Sequence, residues 1–344
     1  MTETAQTPKE LTLSLGVVPQ MIDSSGRRIA LHVAGPAQSS APPLVLVHSV
    51  NATASVIEMH ALFRRQSQRR TVVAIDLPGF GASDRLPGPY TPGLMVRAIQ
   101  DALDWTRRHV GPAPADVAAL SLGCEFAALA ALAEPGSMRS LALISPTGME
   151  RKRIGEAFAD GRTRESRSIA GLLHLPGVGR GLYTALTTRP VMRWFLGRSR
   201  GTRHFDEALL VHGHANARLP GAHHAPLGFL GGALFTRGIV ACYRQLALPV
   251  LVAHGRRGSF TDFEAYGHVA AQSPGQWQRR VFDTGAMPHL EWAAEFDAAY
   301  QSWHAGHVLP APVRVPASFG FGVGRQQPDG RSGFGGSQGQ SCAA

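Results

Sequence analysis

Five short apolar runs, at residues 44–47, 71–75, 117–120, 141–144 and 249–253, constrain the fold of this chain more than any other feature. None alternates as a strand with one wet face does, and none is long enough for a buried helix. A continuous apolar run of four or five residues suits a strand covered on both faces, and such strands belong to parallel sheets. Residues 278–282 read as a further strand late in the chain. Between the runs lie segments of helical character, among them Met95 to His109 and the alanine-rich stretch 124–133. Buried strands alternating with helices predict an α/β fold with a doubly wound, mostly parallel sheet. Two strands, over 11–18 and 27–34, are expected to open it, with the polar turn Asp23-Ser24-Ser25-Gly26 between them.

The alternation stops between about 150 and 240, where the chain is rich in arginine and carries no strong strand signal. That gap is too long for a plain loop. Helix-compatible pieces at 181–186 and 190–196 predict a mostly helical insertion, so the chain divides into a first core part (11–149), a helical cap (150–241) and a second core part (242–308). Residues 309–344 are rich in Gly, Pro, Ser and Gln and are expected to form a disordered tail. The 344 residues, 44% hydrophobic, suffice for one large core with a lid.

The net charge is +10, and every basic residue except Lys9 and Lys152 is arginine. The basic clusters are short, as at Arg69-Arg70 and Arg151-Lys152-Arg153, and no run of nucleic-acid type occurs. Scattered solvated charge accounts for them, with attraction to an anionic substrate or membrane surface as the sharper alternative. Three cysteines, Cys124, Cys242 and Cys342, at spacings that fit neither a metal site nor a disulfide framework, favour a reducing cytoplasm. The polar residues 1–10 do not resemble a signal peptide, and no apolar run approaches the ~20 residues of a membrane span.

Chemistry concentrates at Ala119-Leu120-Ser121-Leu122-Gly123, between a predicted strand and a predicted helix. Small residues two before and two after the serine are what a strained turn requires, and that turn lifts the hydroxyl clear beside a helix N-terminus. Three further segments sit at strand ends: His48-Ser49-Val50-Asn51, the turn Asp76-Leu77-Pro78-Gly79-Phe80-Gly81-Ala82-Ser83-Asp84-Arg85, and Gly285-Ala286-Met287-Pro288-His289. A serine hydroxyl needs a base to become a nucleophile, and an imidazole serves near neutral pH. Ser121 is therefore the candidate nucleophile and His289 the candidate base. A turn serine bonded to its own backbone and a helix-start histidine without a partner are the plain structural alternatives.

These segments together resemble the α/β-hydrolases with a serine nucleophile and an inserted cap, over roughly residues 27–305. The 76–85 decapeptide carries the resemblance most specifically, and Ala119 stands where the commoner elbow has glycine. The resemblance implies hydrolysis of an ester or related bond by a Ser–His–acid triad without a cofactor. It also implies an oxyanion hole from the N–H groups of Leu122 and Val50. The implied partner is a small-molecule acyl substrate, with weak surface association left open. In such enzymes an aspartate follows the strand that here ends near Ala253, at positions occupied by Gly258 and Ser259. Asp262 is the nearest carboxylate and the first choice of acid; Glu264, Glu150 or no acid at all stay open. Because the nucleophile is serine, haloalkane dehalogenase and epoxide hydrolase chemistry, which use a carboxylate, are disfavoured. Acyl transfer, C–C hydrolysis, haloperoxidation and non-catalytic ligand binding are the alternatives.

Asn51 is a candidate to bond a substrate carbonyl, or else to shape its loop. Trp105, Trp194 and the 229–235 region either line an apolar pocket or pack the core. Cys124 reads as a small residue packed on the sheet. His212-Gly213-His214 and His223-His224 do not by themselves close a tetrahedral metal site.

Overall fold

The chain, in a computed structural model, is described over residues 13–156, 161–201, 206–272 and 275–307. The 309–344 tail lies outside these residues. The elements run β1 (Gln20–Ser24), β2 (Arg27–Ala34), β3 (Leu44–Val47), α1 (His60–Gln66), β4 (Val72–Asp76), α2 (Pro92–His109), β5 (Ala115–Leu120), α3 (Gly123–Ala133) and β6 (Met138–Ile144). Among the described residues, six α-helices follow before the sheet resumes: α4 (Arg167–His174), α5 (Val178–Leu186), α6 (Arg189–Arg200), α7 (Glu207–Asn216), α8 (His224–Leu230) and α9 (Ile239–Arg244). The second core part is β7 (Val250–Gly255), α10 (Ala265–Ala270), β8 (Trp277–Phe282), α11 (Pro288–Glu291) and α12 (Ala293–His307).

The strands form one eight-stranded sheet in the order β1-β2-β4-β3-β5-β6-β7-β8. From β4 to β8 all pairs are parallel, and β2 is antiparallel to both β1 and β4. The five apolar runs all become strands of it. Successive residues of a strand face opposite ways, so β3 sends Val45 and Val47 toward the layer of α2 and α3, and Leu44 and Leu46 toward that of α1 and α12. That two-sided burial is why these strands carry no polar alternation.

The opening differs from expectation. Residues 13–18 form no strand, and the first one is Gln20–Ser24. It turns back through Ser25 (φ 54°) and Gly26 (φ 74°), a two-residue loop with both residues in the left-handed region, as a tight hairpin requires. Leu13, Leu15 and Val17 instead pack their side chains on the α1/α12 layer. Residues 11 and 12 lie outside the described part.

Sheet order reverses at β3, which has the earlier connection to β4 on one side and β5 on the other. Ligand crevices of doubly wound sheets lie outside the carboxyl ends of strands at such a point. The 48–51 loop and the Ser121 turn leave the sheet there. The inserted helices are bonded to the segment that leaves β3 at this edge. Tyr183 of α5 donates to Ala52 O (3.1 Å), and Asn216 of α7 donates to Ala54 O (3.2 Å).

Candidate active site

Ser121 joins β5 to α3 at φ 53°, in the left-handed region that a residue with a Cβ enters only at a cost of about 1–2 kcal/mol. Backbone bonds hold it there: its N–H donates to Ile144 O (2.8 Å), and its carbonyl accepts from Cys124 N (3.1 Å). The glycine two residues on has a steric reason. A Cβ at Gly123 would lie 2.4 Å from the His48 carbonyl oxygen. The elbow helix thus approaches the 48–51 loop as closely as backbone allows.

That loop is fixed by side chains. His48 Nε2 accepts from Leu77 N (3.0 Å), tying the exit of β3 to that of β4. Glu58, on a short 3-10 turn (Val56–Met59), gathers the rest of the loop. Its carboxylate accepts from Ser49 N (3.0 Å), Ser49 Oγ (2.6 Å) and Asn51 Nδ2 (2.7 Å). Asn51 Oδ1 in turn accepts from Thr53 N (2.8 Å). Asn51 is therefore occupied on both sides of its amide, which corrects the expectation that it reaches a substrate carbonyl. Among the described residues, neither the Val50 nor the Leu122 N–H donates to a backbone carbonyl outside helices and strands.

His289 opens α11 directly after Pro288 and is buried. Its Nε2 lies 2.8 Å from the main-chain oxygen of Glu58. A carbonyl only accepts, so Nε2 carries the proton and Nδ1 is the bare nitrogen. Nδ1 is buried and has no hydrogen-bond partner among the described residues, so no bond joins it to Ser121 Oγ or to a described carboxylate. Burial holds the imidazole pKa down at about 4; the Glu58 carbonyl opposes this, while the charges of His60 and Arg200 add to it.

None of the expected acids is bonded to His289. Asp262 is exposed, and its carboxylate accepts from Arg151 N (3.1 Å) and Glu264 N (3.3 Å), steadying the segment after β6. Glu264 pairs with Arg151 (3.5 Å) and Glu150 with Arg153 (3.7 Å). The structure thus gives Asp262 a different task from orienting the histidine. The reason lies at the positions where an aspartate is usual. Ser259 N donates to Arg198 O (3.2 Å), and Ala286 N donates to Ser199 O (3.1 Å). A Cβ at Gly258, whose φ is 86°, would sit 2.6 Å from Ser199 O. The carboxyl end of α6 leaves no room for a side chain at Gly258. Glu291, on the same short helix as His289, instead accepts from Gly285 N (3.0 Å) and braces the histidine loop.

Sequence reasoning missed Glu125. It is completely buried one turn into α3, accepting from Thr147 Oγ1 (2.6 Å) and from Thr236 N (2.9 Å) of the inserted segment. Burial raises its carboxyl pKa to about 7, against the hydrogen bonds from Thr147 and Thr236. Its signal was available: it is the only charge in a helix otherwise made of apolar residues and glycine. Cys124 beside it is buried, with Sγ 3.2 Å from Ala119 O, as packing on the sheet requires. Trp105 is buried against the core. Trp194 is 62% exposed on α6, so it lines no pocket. Phe229 and Phe235 pack their rings at a tilt (centroids 5.2 Å apart) at the margin of the core.

A sequence model of the α/β-hydrolase fold matches residues 42–292. Among solved structures, a probable hydrolytic enzyme from Pseudomonas aeruginosa is 18% identical, with a TM-score of 0.66 over 83% of this chain and 93% of its own. An enol-lactonase from Burkholderia xenovorans is 16% identical, with a TM-score of 0.62 over 83% of this chain and 100% of its own. A meta-cleavage product hydrolase from Pseudomonas fluorescens is 16% identical, with a TM-score of 0.60 over 83% and 97%. At these identities the likeness is one of fold.

Proposed function

Because this chain belongs to the α/β-hydrolase family, we propose that it is a serine hydrolase cleaving an ester, thioester or related acyl bond of a small to medium, partly apolar substrate. The observation that carries this reading is the backbone of Ser121. A non-glycine residue held at positive φ between strand and helix, at the switch point of the sheet, is strain placed where a nucleophile uses it. Ser121 Oγ attacks the acyl carbon, and the N–H groups of Val50 and Leu122 take up the charge on the tetrahedral oxyanion. The base is His289. In place of a carboxylate, the Glu58 carbonyl holds the imidazole N–H and so fixes its tautomer. The bare nitrogen must close on the serine hydroxyl as substrate binds, in keeping with catalytic bonds that tighten from their unliganded length. The inserted helices act as a cap over the acyl group, and the buried thiols of Cys124 and Cys242 suit a reducing, cytoplasmic setting.

One observation favours a second reading, a ligand-binding member of the fold without turnover: the histidine is bonded to neither serine nor acid. Hydrolysis of p-nitrophenyl esters separates the two. The enzymatic reading expects measurable kcat, lowered about 10⁴-fold or more in Ser121→Ala and about 10²–10⁴-fold in His289→Ala. Equal rates in the folded wild type and Ser121→Ala protein would leave only the binding reading.

A further inference from the structure

The inserted helices have two unlike faces. On α5, Tyr183 turns inward to bond Ala52 O, while Val178 and Leu182, one helical turn apart, are exposed. On α4, Ile169 and Leu172 are exposed three residues apart, Leu172 at 55%, while Leu173 is buried. On α6, Val191 and Trp194 repeat the pattern, and Met192 is the buried residue. The three helices are packed in succession, α4 on α5 and α5 on α6. Each contributes a solvent-facing apolar stripe at helical spacing. Exposed apolar residues scattered singly need no explanation; three stripes on three neighbouring helices do.

Charge identifies what covers them. Between residues 167 and 200 the chain has six arginines and not one Asp or Glu. Arg167, Arg180, Arg189, Arg193 and Arg198 are exposed, and only Arg200 is buried. Arg193 reaches Glu207 on α7, and Arg198 lies over the Trp194 ring (5.5 Å from its centroid). Arginines flanking Leu, Ile and Trp on amphipathic helices are the composition of a surface that rests at the headgroup boundary of an anionic bilayer. A second copy of the chain fits poorly, because a two-fold contact would set five exposed arginines against the same five.

We infer that the outer face of α4–α6 docks this protein on anionic lipid bilayers, with the apolar stripes entering the headgroup region and the arginines meeting lipid phosphates. The inference is independent of the proposed hydrolysis. It is tested with the full chain and vesicles of either pure phosphatidylcholine or phosphatidylcholine with about 30% phosphatidylglycerol. Co-sedimentation is expected with the anionic vesicles and not with the neutral ones, weakening as salt is raised. Leu172→Asp with Leu182→Asp should lower the bound fraction about tenfold or more. Trp194→Phe should keep binding but lose part of the blue shift in tryptophan emission. Circular dichroism and the urea midpoint establish that the variants are folded. Three results would each overturn the inference: no sedimentation with anionic vesicles at low salt, equal sedimentation of folded Leu172→Asp/Leu182→Asp protein, or concentration-dependent dimerisation abolished by that variant without vesicle binding.

Discussion

Glu125 makes the stability of this protein depend on pH in a way one substitution exposes. Its carboxyl ionises near pH 7 in the folded protein against an ordinary value of 4.5. A raised carboxyl keeps its proton in the native state while the unfolded chain gives it up, so its contribution is fully present below about pH 4.5 and is lost as pH rises through about 7. Glu125→Gln mimics the protonated acid: its amide oxygen accepts from Thr236 N, and its nitrogen donates to Thr147 Oγ1. Changes in hydrogen bonding and packing are common to all pH values and cancel when the variant's advantage at one pH is subtracted from that at another. From its raised ionisation, that advantage should grow by about 2–3 kcal/mol between pH 5 and pH 8. Urea unfolding followed by tryptophan emission at both values measures it. A variant-minus-wild-type difference that is the same at pH 5 and pH 8 would refute the assignment of Glu125 as a buried, partly protonated acid.

The remaining expectations concern the site. His289 is held at a pKa of about 4, so the neutral base persists into mild acid; the acid limb of kcat/KM should fall nearer pH 4 than 6.5. In stability the sign is opposite to that of Glu125: the unfolded chain takes up the His289 proton first, and stability is lost as pH falls from 6.5 toward 4, a loss that His289→Gln should remove. Asp262→Asn should leave kcat for p-nitrophenyl esters within about twofold, as for an exposed side chain away from the chemistry; a loss approaching 10⁴-fold would make it the triad acid after all. Gly123→Ala sets a methyl against the His48 carbonyl and should cost about 1–3 kcal/mol in urea unfolding while lowering kcat.

Local chemistry made much of this molecule readable. The five apolar runs are buried on both faces, so each carries its own signature. The elbow is readable because Ala119 and Gly123 answer to contacts within a few residues and one neighbouring loop. Asp262 was not, because what decides its role is the carboxyl end of α6, some sixty residues away, whose carbonyls take the space beside Gly258. The role of Asn51 depended on Glu58, which nothing in the sequence links to that loop. The opening strand was misplaced because Leu13, Leu15 and Val17 look like a strand face while their burial comes from helices packed over the sheet.

The central claim is that the strained serine at the end of β5 is a nucleophile. A fluorophosphonate probe reacts with activated serines and leaves a covalent adduct that peptide mass mapping assigns to a residue. The account predicts one adduct, on Ser121, lost in Ser121→Ala and slowed in His289→Ala. A folded wild-type protein that stays unlabelled, or carries its label on another residue, would contradict it.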